Sequence, residues 1–119
     1  MHFEQISHLI REFVNPPLVA TIDTPGHYEV WSKKQAVFRD KNVDEVFFLS
    51  AVMDHDRVAF YFNPVYSESE LKDIFARELL ERIENKSCIS IRHFDQQMKK
   101  DLATSIMKIY NYYINKGWI

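Results

Sequence analysis

The chain has 119 residues and a mass of 14.2 kDa, which is a usual size for one domain. Its 15 lysines and arginines stand against 17 acidic residues, so there is no basic excess to neutralise the phosphates of a nucleic acid. Hydrophobic residues make up 46% of the sequence, with only two glycines and four prolines, and this composition excludes a disordered chain. We therefore expect one folded domain over residues 1–119, with no nucleic-acid partner.

The cysteine content and the apolar segments indicate a compartment. Cys88 is the only cysteine, whereas small secreted domains usually carry several disulfides. The N-terminus lacks the basic and apolar regions of a signal peptide. The longest apolar stretch, 46–53, is far shorter than the ~20 residues of a transmembrane helix. We expect a cytoplasmic protein with no membrane partner.

The first half of the chain predicts one helix followed by strands. Apolar residues recur every three or four positions over 3–14, which is typical of an amphipathic helix, and Pro16 and Pro17 end it. Residues 18–22 fit a short strand or a short helix. Strands are then predicted by short apolar runs between polar turns, which favour an antiparallel meander: 27–31, 35–39, 43–53 and 57–62.

The second half predicts helices around one short strand. Ser67 and Glu70 have the spacing of a capping box, and the helical pattern that follows continues to residue 84 as one helix or two short ones. Residues 88–92 fit a last strand. Asp95 is a suitable N-cap for a long final helix.

The end of the final helix is also marked. Gly117 suits the left-handed position after the last turn, and Trp118 is then placed to fold back on Tyr113, which indicates a structural role for this tryptophan. The predicted fold is therefore α+β, an antiparallel sheet of about five strands with the N-terminal and C-terminal helices packed on one face. The predicted order is α-β-β-β-β-α-β-α.

Both faces of the central strands are apolar, which leaves two interpretations open. The helices cover both faces, or they cover one and leave the other as an aromatic surface for a partner or an apolar ligand. The apolar stripes of the first and last helices favour cover on one face. Strict alternation along the strands then gives these candidate ligand or interface residues: Trp31, Phe47, Leu49 and Tyr61.

A second candidate site is the polar break between two predicted strands. Asp54, His55 and Asp56 place two carboxylates and an imidazole at a hairpin tip, and such groups bind divalent metal ions. The same residue types are ordinary in turns. The sequence therefore predicts a weak metal site here, or simply a turn.

Catalytic chemistry is not indicated. Cys88 lies in a predicted strand, where it fits a buried core position better than an activated nucleophile. With two glycines in the chain, no glycine-rich loop for a nucleotide cofactor is available. We expect no catalytic residues, no enzymatic activity and no resident cofactor.

Three segments resemble the YdhG-like family of small bacterial domains of unknown function: AFYFNPVY at 59–66, NKSCISIR at 85–92 and YINKGW at 113–118. Asn85 stands where the family usually has glycine. The resemblance implies a frataxin-like α+β fold and a bacterial cytoplasmic setting. It also implies an iron-chaperone-like function in some members, so iron is a candidate ligand by resemblance only.

Two functions are therefore carried forward. The first is a non-enzymatic binding module, with metal handling implied by the family resemblance. The alternative is a module that self-associates as a homodimer, or binds a small apolar ligand, through the aromatic sheet face.

Overall fold

The computed structural model describes residues 2–119 as an α+β fold built on a six-stranded antiparallel sheet with the strand order β1-β2-β5-β6-β8-β7. A separate two-stranded hairpin pairs β3 with β4. The elements in chain order are α1 (His2–Arg11), β1 (Leu18–Thr24), β2 (His27–Ser32), β3 (Ala36–Phe38), β4 (Lys41–Val43), β5 (Val46–Asp54), β6 (Arg57–Phe62), α2 (Glu68–Ile74), α3 (Arg77–Leu80), β7 (Ile83–Glu84), β8 (Cys88–Ile91) and α4 (Gln96–Lys116).

The predicted class is confirmed, but the number and order of strands differ from the prediction. The segment at 18–22, which the sequence left open, is strand β1 at one edge of the sheet. Residues 36–38 are not part of the main sheet: Arg39 and Asp40 both take positive φ, 52° and 65°, and form the turn of the separate β3–β4 hairpin. Strand β7 is only two residues long, too short to leave a pattern in the sequence.

The helices form one layer on one face of the sheet. Helix α4 contacts α1, α2 and α3, and α1 also contacts β5. The ring of Phe48 in β5 lies 5.2 Å from that of Tyr113 in α4, and Phe62 in β6 lies 5.0 Å from Phe75 at the end of α2. These aromatic contacts join the sheet to the helix layer in one hydrophobic core.

A β-bulge in β5 sets which side chains face that core. Val30 pairs with Leu49, but the next residue, Trp31, pairs with Phe47, so Phe48 is an extra residue in the strand. Phe48 and Leu49 are both fully buried. The prediction that Leu49 shares a face with Phe47 is therefore wrong, because strict alternation fails at the bulge.

The predicted N-terminal ends of α2 and α4 are confirmed, but the helical pattern after Ser67 does not continue to residue 84: it gives two short helices, α2 and α3, and Ile83–Glu84 is strand β7. The Ser67 hydroxyl accepts from the Glu70 amide at 3.1 Å, and the Glu70 carboxylate accepts from the Ser67 amide at 2.8 Å. Asp95 accepts from the amide of Met98 at 2.8 Å. These bonds satisfy backbone donors that the first turn of a helix leaves free, and so fix where α2 and α4 begin.

The C-terminal end of α4 closes as the sequence indicated. Gly117 has φ 77°, and the Trp118 amide donates to the Tyr113 carbonyl at 2.9 Å. The two rings meet edge to face at 4.9 Å, and the indole of Trp118 donates to the carbonyl of Val37 at 3.0 Å. Trp118 thus attaches the β3–β4 hairpin to the end of α4.

Candidate binding surface

The face of the sheet opposite the helices carries a continuous set of side chains from five strands. Cross-strand pairing aligns Val19 with Trp31 and Phe47 in one row. The next row is Ile22, Glu29, Ser50, Tyr61 and Cys88, and a third contains His27, Val52 and Ala59. These residues are called the open face below.

The large side chains of the open face remain partly exposed. Val19 is 42% exposed and Tyr61 is 37% exposed. Trp31 and Phe47 are half-buried, with their rings in an edge-to-face contact at 5.5 Å. Three of the four predicted interface residues therefore lie on this face. Leu49 does not, because the bulge turns it into the core.

The small residues between them are covered. Ser50 and Ala59 are buried although they point away from the helices, because larger open-face neighbours shield them. The result is an apolar surface of aromatic side chains around a floor of small ones. Such a surface is suited to a contact with a partner, since exposed aromatic patches mark interaction sites.

Glu29 is the acidic residue in the middle of the open face. One carboxylate oxygen accepts from the Trp31 indole at 2.9 Å, and the other lies 3.2 Å from Nε2 of His27. The side chain of Glu29 is only 25% exposed. The sequence analysis did not single out Glu29. The signal that could have indicated it is an acidic residue between two apolar residues, Tyr28 and Val30, within the strand at 27–32.

Arg57 closes one end of the open face with two ion pairs. Its guanidinium donates to the carboxylates of Asp54 and Glu84, each at 3.1 Å. The hydrogen bond to Asp54 is the main cause that raises the pKa of Arg57, while burial acts in the opposite direction. The positive charge of Arg57 is therefore neutralised by the carboxylates of Asp54 and Glu84.

Cys88 lies beneath this end of the open face as a free, buried thiol. Burial is the main cause that raises its pKa, and the nearby Arg57 offsets this only in part. Burial therefore disfavours the thiolate form of Cys88, which is the form that acts as a nucleophile. Tyr61, across the strand, also has a raised pKa, caused mainly by burial.

The predicted metal residues lie at the β5–β6 turn, but arginines engage both carboxylates. Asp54 pairs with Arg57, and Asp56 pairs with Arg92 at 2.6 Å. His55 takes φ 56° at the turn and its Nδ1 lies 3.5 Å from Asp54. Within residues 2–119 no group of three or more histidine, cysteine or acidic side chains is arranged to hold a metal ion.

Comparisons with known proteins add no relative. No protein-family model, curated protein or solved structure matches the chain. The YdhG-like assignment therefore stays a prediction that rests on the three segments quoted above. As for membranes, none of the helices over residues 2–119 has both the length and the apolar content to span a bilayer.

Proposed function

We propose that this chain is a non-enzymatic binding module whose open face receives an extended or helical segment of a partner protein. The observation that carries the proposal is the partial exposure of Trp31, Phe47 and Tyr61 on the sheet face opposite the helix layer. Burying one such side chain contributes roughly 1.5–3 kcal/mol, so an occupant of this face gains a substantial driving force.

The size of the face favours a segment over a second copy of the chain. The open face as defined above comprises eleven residues. A stable interface between two folded proteins takes about 20–30 residues from each partner. The open face provides about half of that, which suits a single peptide segment.

Metal handling, the function implied by the family resemblance, has less support. Binding a cation at Asp54 and Asp56 would require both carboxylates to leave the arginines that hold them. The proposal keeps the bacterial cytoplasmic setting, which rests on the resemblance and on the single cysteine.

The test is selection from a random peptide library displayed on phage, with the folded protein as bait. Peptides selected on the wild type are expected to lose binding to Tyr61→Asp and to Val19→Asp, which place a charge on the open face. Met107→Asp places the same charge on an exposed position of α4 and is expected to bind as the wild type does. Circular dichroism verifies that each variant is folded.

Three results would overturn the proposal. The first is a set of selected peptides that binds all three variants as well as the wild type, and the second is no enrichment at all. The third is a wild-type dimer in sedimentation velocity that becomes a monomer in Tyr61→Asp, since the occupant would then be a second copy.

A further inference from the structure

We propose that the partner segment inserts the positively charged side chain of an arginine or lysine beside Glu29, over the rings of Trp31 and Phe47. This inference rests on the proposed function and names the chemistry of the segment. The three residues Glu29, Trp31 and Phe47 are called the cation site.

The first support is the charge of Glu29. Its side chain is three-quarters buried, and a carboxylate in that position is normally paired with a cation. Its partners are an indole N–H and an imidazole, and no lysine or arginine nitrogen of residues 2–119 lies within 4 Å of it. The negative charge of Glu29 thus remains available to an incoming cation.

The second support is the contrast with the other acids near this surface. Asp54 and Glu84 share the guanidinium of Arg57, and Glu45 pairs with Lys33 at the end of β2. With Glu29 counted, four carboxylates, one guanidinium and one ammonium lie on the face or border it, which leaves a net charge of −2. The open face is an acidic aromatic surface, complementary to a basic apolar segment.

The third support is the arrangement of the rings. Trp31 lies two residues from Glu29 on the same strand, and its indole N–H is already directed at the carboxylate. Phe47 packs against Trp31 edge to face, so the two rings form one aromatic surface beside Glu29. Arginine and lysine pack their aliphatic stems on apolar surfaces and place their charge on aromatic faces or carboxylates.

The experiment is a nitrogen-15 NMR titration at pH 8, where an ordinary imidazole is neutral. The probes are N-acetyl-leucyl-arginyl-leucinamide and the same peptide with citrulline, which has the shape of arginine without its charge. The indole N–H of Trp31 reports on the cation site directly. The indole of Trp118, buried at the end of α4, serves as an internal reference.

We expect the arginine peptide to shift the Trp31 indole and the Ser50 amide, and to bind about fivefold more tightly than the citrulline peptide. Glu29→Gln keeps an oxygen for the indole N–H but removes the charge, so both peptides should then bind alike. Glu4→Gln makes the same change of charge on the exposed side of α1 and should retain the preference.

Equal binding of the two peptides to the wild type at the open face would overturn the cation site while leaving the open face as a binding surface. A preference for arginine that survives in Glu29→Gln would overturn it as well. If neither peptide moves the open-face resonances, the cation site is wrong, and the phage selection decides separately whether the face binds other segments.

Discussion

The hydroxyl of Tyr113 on α4 donates a hydrogen bond to the backbone carbonyl of Phe47 on β5, 66 residues earlier in the chain. The same carbonyl accepts from the side-chain amide of Asn63 at 3.2 Å. Phe47 is the residue at which the β-bulge begins, so its carbonyl takes side-chain donors. Two donors from the helix side thus hold in place the strand segment that presents the ring of Phe47 to the open face.

Tyr113→Phe is expected to lower the free energy of unfolding by about 1 kcal/mol, because it removes one hydrogen bond and keeps the buried ring. Burial raises the pKa of the Tyr113 hydroxyl, so it stays a donor at neutral pH. Urea denaturation measures the loss. The double variant with Asn63→Ala should lose more than the two single changes combined, since the Phe47 carbonyl then has no side-chain donor. Additive losses would show that the two donors act independently.

Leu49→Ala and Val19→Ala should differ strongly in their effect on stability, because the bulge turns Leu49 into the core while Val19 stays on the open face. The spacing of apolar residues alone does not distinguish the two positions. Leu49→Ala removes a fully buried side chain from the core and should cost about 2–5 kcal/mol. Val19→Ala trims a side chain that is 42% exposed and should change stability by less than about 0.5 kcal/mol. Thermal unfolding of the two variants checks the contrast. A small loss in Leu49→Ala would mean that Leu49 faces solvent and that the bulge is misplaced.

The sequence predicted what depends on local chemistry. Capping residues such as Ser67 and Asp95 act within one helical turn, and Gly117 acts through its own backbone, so their roles follow from neighbours in the chain. Alternation placed Tyr61 correctly because β6 pairs without interruption. It misplaced Leu49 because a bulge depends on the register of two strands, which the spacing of apolar residues in one strand does not encode.

The candidate site was only partly predictable for a related reason. Trp31 and Phe47 follow from aromatic content in predicted strands. The importance of Glu29 depends on what lies across the strand from it, namely Ser50 in β5 and Ile22 in β1. Glu29 also differs from the other acids in that no lysine or arginine nitrogen among residues 2–119 lies within 4 Å of its carboxylate. Only the three-dimensional arrangement shows this.

The hydroxyl of Tyr66 predicts a stabilising substitution. Its oxygen is buried and has no hydrogen-bond partner among residues 2–119, and burial raises its pKa well above the ordinary value. Tyr66→Phe removes the unpaired group and keeps the ring, which packs edge to face against Tyr112 at 4.8 Å. We expect a gain of about 1 kcal/mol in the free energy of unfolding. A loss of stability would show that the hydroxyl bonds an ordered water molecule.

Gly117 tests whether backbone conformation alone decides the end of α4. Its φ is 77°, and a methyl group added at its Cα would meet no atom within 4 Å. Gly117→Ala should therefore cost about 1 kcal/mol through the left-handed conformation and not through a clash. Gly117→Asn should cost less, since asparagine adopts this conformation more readily. Denaturation midpoints of the two variants give the order, and an equal loss in both would point to a steric cause.

The N-cap of α4 predicts a dependence of stability on pH. The hydrogen bond from the Met98 amide is the main cause that lowers the pKa of Asp95, and the imidazole of His93, 3.4 Å away, acts in the same direction. A carboxyl whose pKa is lower in the folded state stabilises the fold above its unfolded pKa. That contribution is lost as the pH falls through the folded pKa.

Asp95→Asn isolates this contribution, because asparagine also caps a helix but carries no charge. The wild type should be more stable than Asp95→Asn at pH 7, through the favourable contact of a carboxylate with the helix N-terminus. The difference should shrink below about pH 4, the ordinary aspartate range, as the carboxyl becomes protonated. Urea denaturation of both proteins at pH 7, 5 and 3 measures it. A difference that stays constant down to pH 3 would mean that the charge of Asp95 does not contribute to the stability of α4.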